Sequence, residues 1–215
     1  MDFNTSWIAA FLLIISPAFA IGQIQFQKTF ESIGNSQVLD GYQVADSGYV
    51  FTGFSTDMGL GSQDVFLLKT DQYGNQQWAK HYGGAGVDQG HGVCQTADKG
   101  IMITGYTSSF GVAFDDLFLI KTDSLGNLEW SKTIGGASTD RGYSVTTHNN
   151  GMSFVVGSSY SFGAGNADIL VVKLDNGGNI IWRKTFGGVG FEEGYDVKIT
   201  GDSGCVVLGT TYSFG

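Results

Sequence analysis

The chain has 215 residues, 42% of them hydrophobic and 13% aromatic, which is enough apolar side chain for a packed core and excludes an intrinsically disordered polypeptide. A net charge of −9 with only 14% charged residues offers no basic footprint for a nucleic-acid backbone. Thirty-four glycines against one proline, among many Val, Ile, Thr, Tyr, Phe and Trp, describe strands broken by turns.

The first twenty residues read as a secretory leader. Residues 7–15 form an apolar run, followed by Ser16-Pro17 and the small-x-small site Ala18-Phe19-Ala20. The run is too short to span a bilayer comfortably. The first six residues depart from the pattern, carrying Asp2 and no Lys or Arg. The competing assignments are a short membrane anchor or a buried strand. The expected mature chain is 21–215, secreted or at the cell surface, with no stable membrane span after leader cleavage.

Beyond the leader the chain repeats. Trp78, Trp130 and Trp182 lie 52 residues apart, each in Gly-Asn-x-x-Trp-x-Lys-x-x-Gly-Gly, and Phe26 fills the same slot one period earlier. A fixed period of this size means one supersecondary unit stacked on copies of itself. In chain order, the copy from 90 to 134 predicts a short strand at 92–96, a turn, a strand at 101–107 and a longer loop at 108–115. An apolar strand at 116–122, a turn and the Trp strand at 128–134 complete it. Asp-x-Gly and Asp-x-x-Gly-Asn are turn chemistry, with Asp capping backbone amides and Gly taking positive φ. The third strand is apolar on both faces and must lie between packed sheets.

Four short antiparallel strands per copy define an all-β chain, a β-propeller of 52-residue blades. A β-solenoid is the rival, but it favours shorter repeats and parallel strands. The expected blades are 38–82, 90–134 and 142–186, with a partial blade at 194–213. Residues 23–30 are a D-type strand without A, B or C strands before it, a candidate closing strand. This predicts an incomplete, open arc and a fragment of a longer chain. Gly151 comes one residue earlier than Gly100 plus 52, and a bulge in that hairpin is expected to absorb the slip.

The ordered string Trp-x-Lys-x-x-Gly-Gly, Asp-x-Gly, Asp-x-Gly-(x)4-Gly-x-Thr and Asp-x-x-Leu-x-Lys-x-Asp-x-x-Gly-Asn covers nearly all of 24–215. It resembles the bacterial β-propeller repeat family of exported surface proteins. That resemblance implies a secreted or surface propeller and says little about ligand. The turn Asp175-Asn176-Gly177-Gly178-Asn179 with Trp182 is similar to the tryptophan-docking motif of quinoprotein dehydrogenases, which docks blade to blade. It is also similar to the Asp box of sialidases, another structural turn, though with one extra residue. Neither carries catalytic residues onto this chain.

Chemistry is sparse. His81, His91 and His148 occupy three unrelated slots without metal-like spacing, and no nucleophile elbow or phosphate loop occurs. Cys94 and Cys205 stand in different slots and are expected to be free buried thiols. Asp71, Asp123 and Asp175 lack the ligand ladder of a calcium loop. Lys80, Lys132 and Lys184 recur on the Trp face, where cation–π contacts or ion pairs with those aspartates would be structural. The longer loops share one face and repeat an acid (Asp88, Asp140, Glu192) and an aromatic (Phe110, Phe162, Phe214). That face is the predicted binding surface, for protein or glycan. Ca²⁺ on the acid ring is the only cofactor it hints at. The alternative is that the acids hydrogen-bond loop amides and the rings cap the blade core.

The functional expectation is a non-catalytic exported binding or adhesion scaffold. The alternatives are part of a propeller enzyme, a quinoprotein-like dehydrogenase or a glycosidase whose catalytic residues lie outside this chain, and a structural spacer without ligand.

Overall fold

The structure, a computed structural model, describes residues 7–10, 27–31, 35–57 and 59–214, and among them every regular element is a strand. Strands β1 (Trp7–Ala10) and β2 (Lys28–Glu31) pair antiparallel. The first four-stranded sheet holds β3 (Ser36–Gln43), β4 (Tyr49–Ser55), β5 (Asp64–Thr70) and β6 (Gln76–Tyr82). The second holds β7 (Asp88–Gln95), β8 (Ile101–Thr107), β9 (Asp116–Thr122) and β10 (Leu128–Ile134). The third holds β11 (Asp140–Thr147), β12 (Ser153–Ser159), β13 (Asp168–Leu174) and β14 (Ile180–Phe186). Finally β15 (Glu192–Ile199) pairs with β16 (Cys205–Thr211). Each sheet runs in chain order, A to D, so the fold is a β-propeller arc of three blades and two strands of a fourth.

Core formation happens between blades. Val50, Val65 and Leu67 of the first blade meet Val93, Ile103 and Phe118 of the second. Leu117, Leu119 and Ile134 of the second meet Val145, Val155 and Leu170 of the third. Each buried aliphatic or phenyl group contributes roughly 1.5–3 kcal/mol, so a blade gains most of its stability from its neighbour. The C strands β5 and β9 are buried along their whole length, as their two-sided apolar pattern predicts.

The first strands begin earlier than the sequence suggests, at Ser36, Asp88, Asp140 and Glu192. Gly-x-Gly looks like a break, yet the strand continues through it. A Cβ on Gly90 would come within 2.3 Å of Thr52 Oγ1 on the preceding blade, so this glycine serves close sheet-to-sheet approach.

The expected slip near Gly151 is absent. Thr147 pairs with Ser153 just as Gln95 pairs with Ile101, and the hairpin registers agree. The slot with positive φ is held by Ser47, Lys99, Gly151 and Ser203 in the four copies. Gly151 takes that slot itself, leaving Met152 where Gly48 and Gly100 stand. Register shifts lie elsewhere: in each C–D pair, and in every A strand, where the shift leaves Leu39, His91, Tyr143 or Tyr195 as the extra residue.

The candidate closing strand is described only from residue 27, so Phe26 and the leader cleavage site fall outside the described residues. Its described part pairs with Trp7–Ala10 rather than with a blade strand. It nevertheless holds the D position before the first blade. Phe30 packs on the cluster of Tyr49, Phe51, Phe66 and Leu68, and Lys28 Nζ reaches Asn75 Oδ1 at 3.4 Å.

Candidate functional site

The repeated Trp slot is a joint between blades. A Cβ on Gly126 (φ 75°) would lie 2.8 Å from Trp78, and one on Gly178 (φ 72°) would lie 2.6 Å from Trp130. Each indole therefore seats on the C–D turn of the following blade. The turns are built alike: Asp71, Asp123 and Asp175 each accept the backbone amide and the side-chain amide of the Asn four residues on. Those bonds hold all three carboxyls below the usual carboxylate range. Lys132 Nζ stands 5.4 Å from the Trp130 ring and donates to Gly177 O and Asn179 Oδ1 at 3.0 and 3.1 Å. Lys184 lies 5.4 Å from the Trp182 ring. The Lys80 stem packs against Gly126. These lysines thus use ring faces and turn carbonyls, and none of them ion-pairs with the turn aspartates among the described residues.

The predicted acid ring is not on the surface. Asp88, Asp140 and Glu192 open their strands and are at most 1% exposed. Asp88 Oδ2 accepts the Gly84 amide at 2.8 Å and the Ser109 hydroxyl at 2.6 Å. Asp140 accepts the Gly136 amide at 2.9 Å and the Ser159 hydroxyl. Glu192 accepts the Gly188 amide at 2.9 Å and bonds from Thr211 and Tyr212. The acids knit the D–A loop to the blade, because a buried carboxylate must find donors. The same geometry explains the Gly-Gly signature: a Cβ on Gly83 would sit 2.2 Å from Asp64 Oδ1 and 2.7 Å from Asp88 Oδ2. Of the phenyls, Phe214 is exposed, Phe110 is about half exposed and stands 5.7 Å from Phe118, and Phe162 lies under the Arg183 guanidinium at 3.8 Å. They stay at the surface without an acid beside them in the role expected of the ring.

A different surface gathers chemistry. The bulge residues of successive A strands line a concave groove of about 440 Å³, with Leu39, His91, Tyr143 and Tyr195 stepping from blade to blade. The rings form a ladder, with His91–Tyr143 centroids 5.6 Å apart and Tyr143–Tyr195 6.2 Å apart. Asp40 and Asp196 stand on the same strands. Asp40 Oδ2 accepts the Val93 amide of the next blade at 2.8 Å, and Ser144 Oγ donates to Asp196 Oδ1 at 2.8 Å. Burial raises the Asp40 carboxyl overall, while Asp196 is held below its usual value by Lys198 and Ser144 against the effect of burial.

Two residues before each bulge the A strands stop repeating. Gln89, Arg141 and Glu193 fill one slot of three blades, facing Gln63, Asp115 and Ala167 of the preceding blades. Gln89 bonds Gln63, and Arg141 pairs with Asp115 while its guanidinium lies 4.5 Å from the Tyr106 ring. Burial lowers the Arg141 pKa, and the Asp115 carboxylate more than offsets it. His91 is 5.4 Å from Tyr106, and burial together with Arg141 brings it down to about 4. A neutral imidazole of such low basicity is a poor general base near neutrality. Sequence reading missed this groove because it sought function in long loops. The available signal was a strand slot whose identity changes, Leu39, His91, Tyr143 and Tyr195, inside an otherwise constant repeat.

Among the described residues no group of three or more His, Cys, Asp or Glu is placed to hold a metal ion. No helix there is long and apolar enough to cross a membrane.

No protein-family model matches the chain, and no curated protein is significantly similar to it. Among solved structures, the chain is similar to one described as "Crystal structure of the eukaryotic initiation factor", at 11% identity and a TM-score of 0.34. The match covers 84% of this chain, which spans about half the length of that one.

Proposed function

We propose that this chain is an exported, non-catalytic propeller scaffold that binds a ligand at the cell surface, and that the A-strand groove is its seat. The observation that carries the reading is the stepped ladder His91–Tyr143–Tyr195, flanked by polar residues that differ from blade to blade. Elsewhere the repeat conserves packing roles; here it varies, and a rigid wall with variable side chains is how a repeat scaffold acquires a specific partner. Tyrosines combine apolar area with a polar tip, which suits a binding surface more than a core. Export rests on the apolar run at 7–15 and the Ala18-Phe19-Ala20 site.

Screening the protein against glycan and peptide arrays tests the proposal. Binding to either class that disappears in Tyr143→Ala and Tyr195→Ala supports it, and an empty screen leaves the chain a spacer. Export is tested by N-terminal sequencing of protein recovered outside the cell, which should begin at Ile21.

A further inference from the structure

Two equivalent seams between blades are closed differently. Where the second blade meets the third, the Arg183 guanidinium lies 3.8 Å from the Phe162 ring, which is half-buried beneath it. Phe110 and Ser131 hold the same two slots one period earlier, and Ser131 pairs with Ile120 as Arg183 pairs with Val172. A serine cannot reach across the phenyl, and Phe110 stays 45% exposed. The seam between the first and second blades therefore keeps a cavity of about 420 Å³, a size common for small-molecule sites. Phe110, Phe118, Leu128 and Ser131 line it from the second blade, Lys80 and Tyr82 from the first. Both blades have all four strands. The cavity shares no lining residue with the A-strand groove.

The lysines of the repeat differ between the seams as well. Lys132 Nζ is drawn off to the turn, donating to Gly177 O and Asn179 Oδ1, and Lys28 reaches the equivalent Asn75 Oδ1. Lys80 fills that slot at the open seam, yet its ammonium has no hydrogen-bond or ion-pair partner among the described residues. No Asp or Glu lines the cavity among the described residues. Asp123 acts on Tyr82 from the turn, but its oxygens are engaged by Leu125 and Asn127. The Tyr82 hydroxyl is spent on Gly126 O at 2.7 Å, and burial lowers the His81 pKa, so neither adds charge near neutrality. Each seam thus supplies one cation: Arg183 at Phe162, and Lys80 at the cavity of Phe110.

We infer that the cavity between the first and second blades binds a planar aromatic carboxylate. Its ring stacks on Phe110, in the place the Arg183 guanidinium takes on Phe162, and its carboxylate accepts from the Lys80 ammonium. A cation in that place would meet Lys80 with no lining carboxylate to offset it, and a neutral ring would gain the stacking alone. The site is separate from the A-strand groove, so it stands or falls independently of that reading.

The test is fluorine NMR titration of the full chain with para-fluorobenzoate, para-fluorobenzamide and para-fluorobenzamidine, rings of one shape that are anionic, neutral and cationic. The benzoate should bind saturably, roughly tenfold tighter than the benzamide, with the benzamidine weakest. Lys80→Met keeps the packed stem and should erase the preference for benzoate over benzamide. Phe110→Leu, at an exposed position, should weaken both several-fold. Ser131→Arg should lay a guanidinium over Phe110 and displace the benzoate ring. Equal binding of benzoate and benzamide, tightest binding of benzamidine, or a preference that survives Lys80→Met overturns the inference. Tighter benzoate binding in Ser131→Arg overturns it too, because charge alone would then hold the ligand. So does the absence of binding by any of the three probes.

Discussion

The indole of Trp130 lies against Gly178 of the next blade so closely that a Cβ there would meet its six-membered ring at 2.6 Å. Gly178 also has φ 72°, a conformation that costs an L-residue about 1 kcal/mol. Gly178→Ala should therefore lose about 2–3 kcal/mol, part backbone and part collision. In a Trp130→Ala background the collision vanishes and only the backbone part remains. A double-mutant cycle by urea unfolding measures the difference. Full additivity would refute the docking contact.

A second pair of copies contrasts a buried lysine with a half-buried one. Lys121 Nζ, 2% exposed in its side chain, bonds Asp98 at 3.0 Å, Glu129 at 2.9 Å and Thr122 O at 2.9 Å. Glu129 reaches it from a bulge in β10. In the third blade the corresponding residues are Asn150 and Ile181, and Met152 fills the glycine slot. Lys173 lies instead 5.1 Å from the Phe154 ring. A Cβ on Gly100 would come within 2.3 Å of Lys121 Nζ and 2.2 Å of Thr122 O. Gly100→Ala should cost about 2 kcal/mol or more, whereas Met152→Ala in the equivalent slot should stay within about 1 kcal/mol. Chemical denaturation of both variants decides it.

His91 makes stability depend on pH. Its pKa in the fold is about 4 against an ordinary 6.5, first through burial and then through Arg141. Below pH 6.5 the unfolded chain takes up a proton that the folded chain refuses until about pH 4. This contribution is complete above pH 6.5 and lost as pH falls toward 4. Between pH 7.5 and 5 the wild type should lose on the order of 1–2 kcal/mol more than His91→Phe. Parallel pH dependences for the two proteins would contradict the shift.

The thiols should separate by reactivity. Cys94 is buried, and burial pushes its thiol up to about 12. Cys205 is partly exposed on β16, and burial raises it as well. Iodoacetamide at pH 8.5 should label Cys205 slowly and Cys94 only after denaturation, as read by peptide mass spectrometry. Equal labelling of the two in the folded protein would argue against this packing.

Much of the fold was legible in Trp78, Trp130 and Trp182, because a packing role that recurs must be met by the same residue each time. The Gly-Asn turns and the two-sided apolar C strands were legible for the same reason. The candidate site was not. Asp88, Asp140 and Glu192 read as surface acids because their loop looks long and polar, and only the approach of the next loop buries them. The extra residue of each A strand was invisible too, since a bulge depends on the partner strand's register and leaves no mark in its own composition.

The sequence by itself determined the repeat, the strand order within a blade and the identity of the blade-to-blade joint, all set by local turn chemistry and recurrent apolar slots. Only the tertiary structure decided which polar residues are spent inside and which remain open. That depends on what stands across the junction: Asp115 satisfies Arg141, whereas Ala167 leaves Glu193 with the Tyr195 phenol as its partner. Residues 26 positions apart in the chain meet there, and no local pattern encodes whether their charges match.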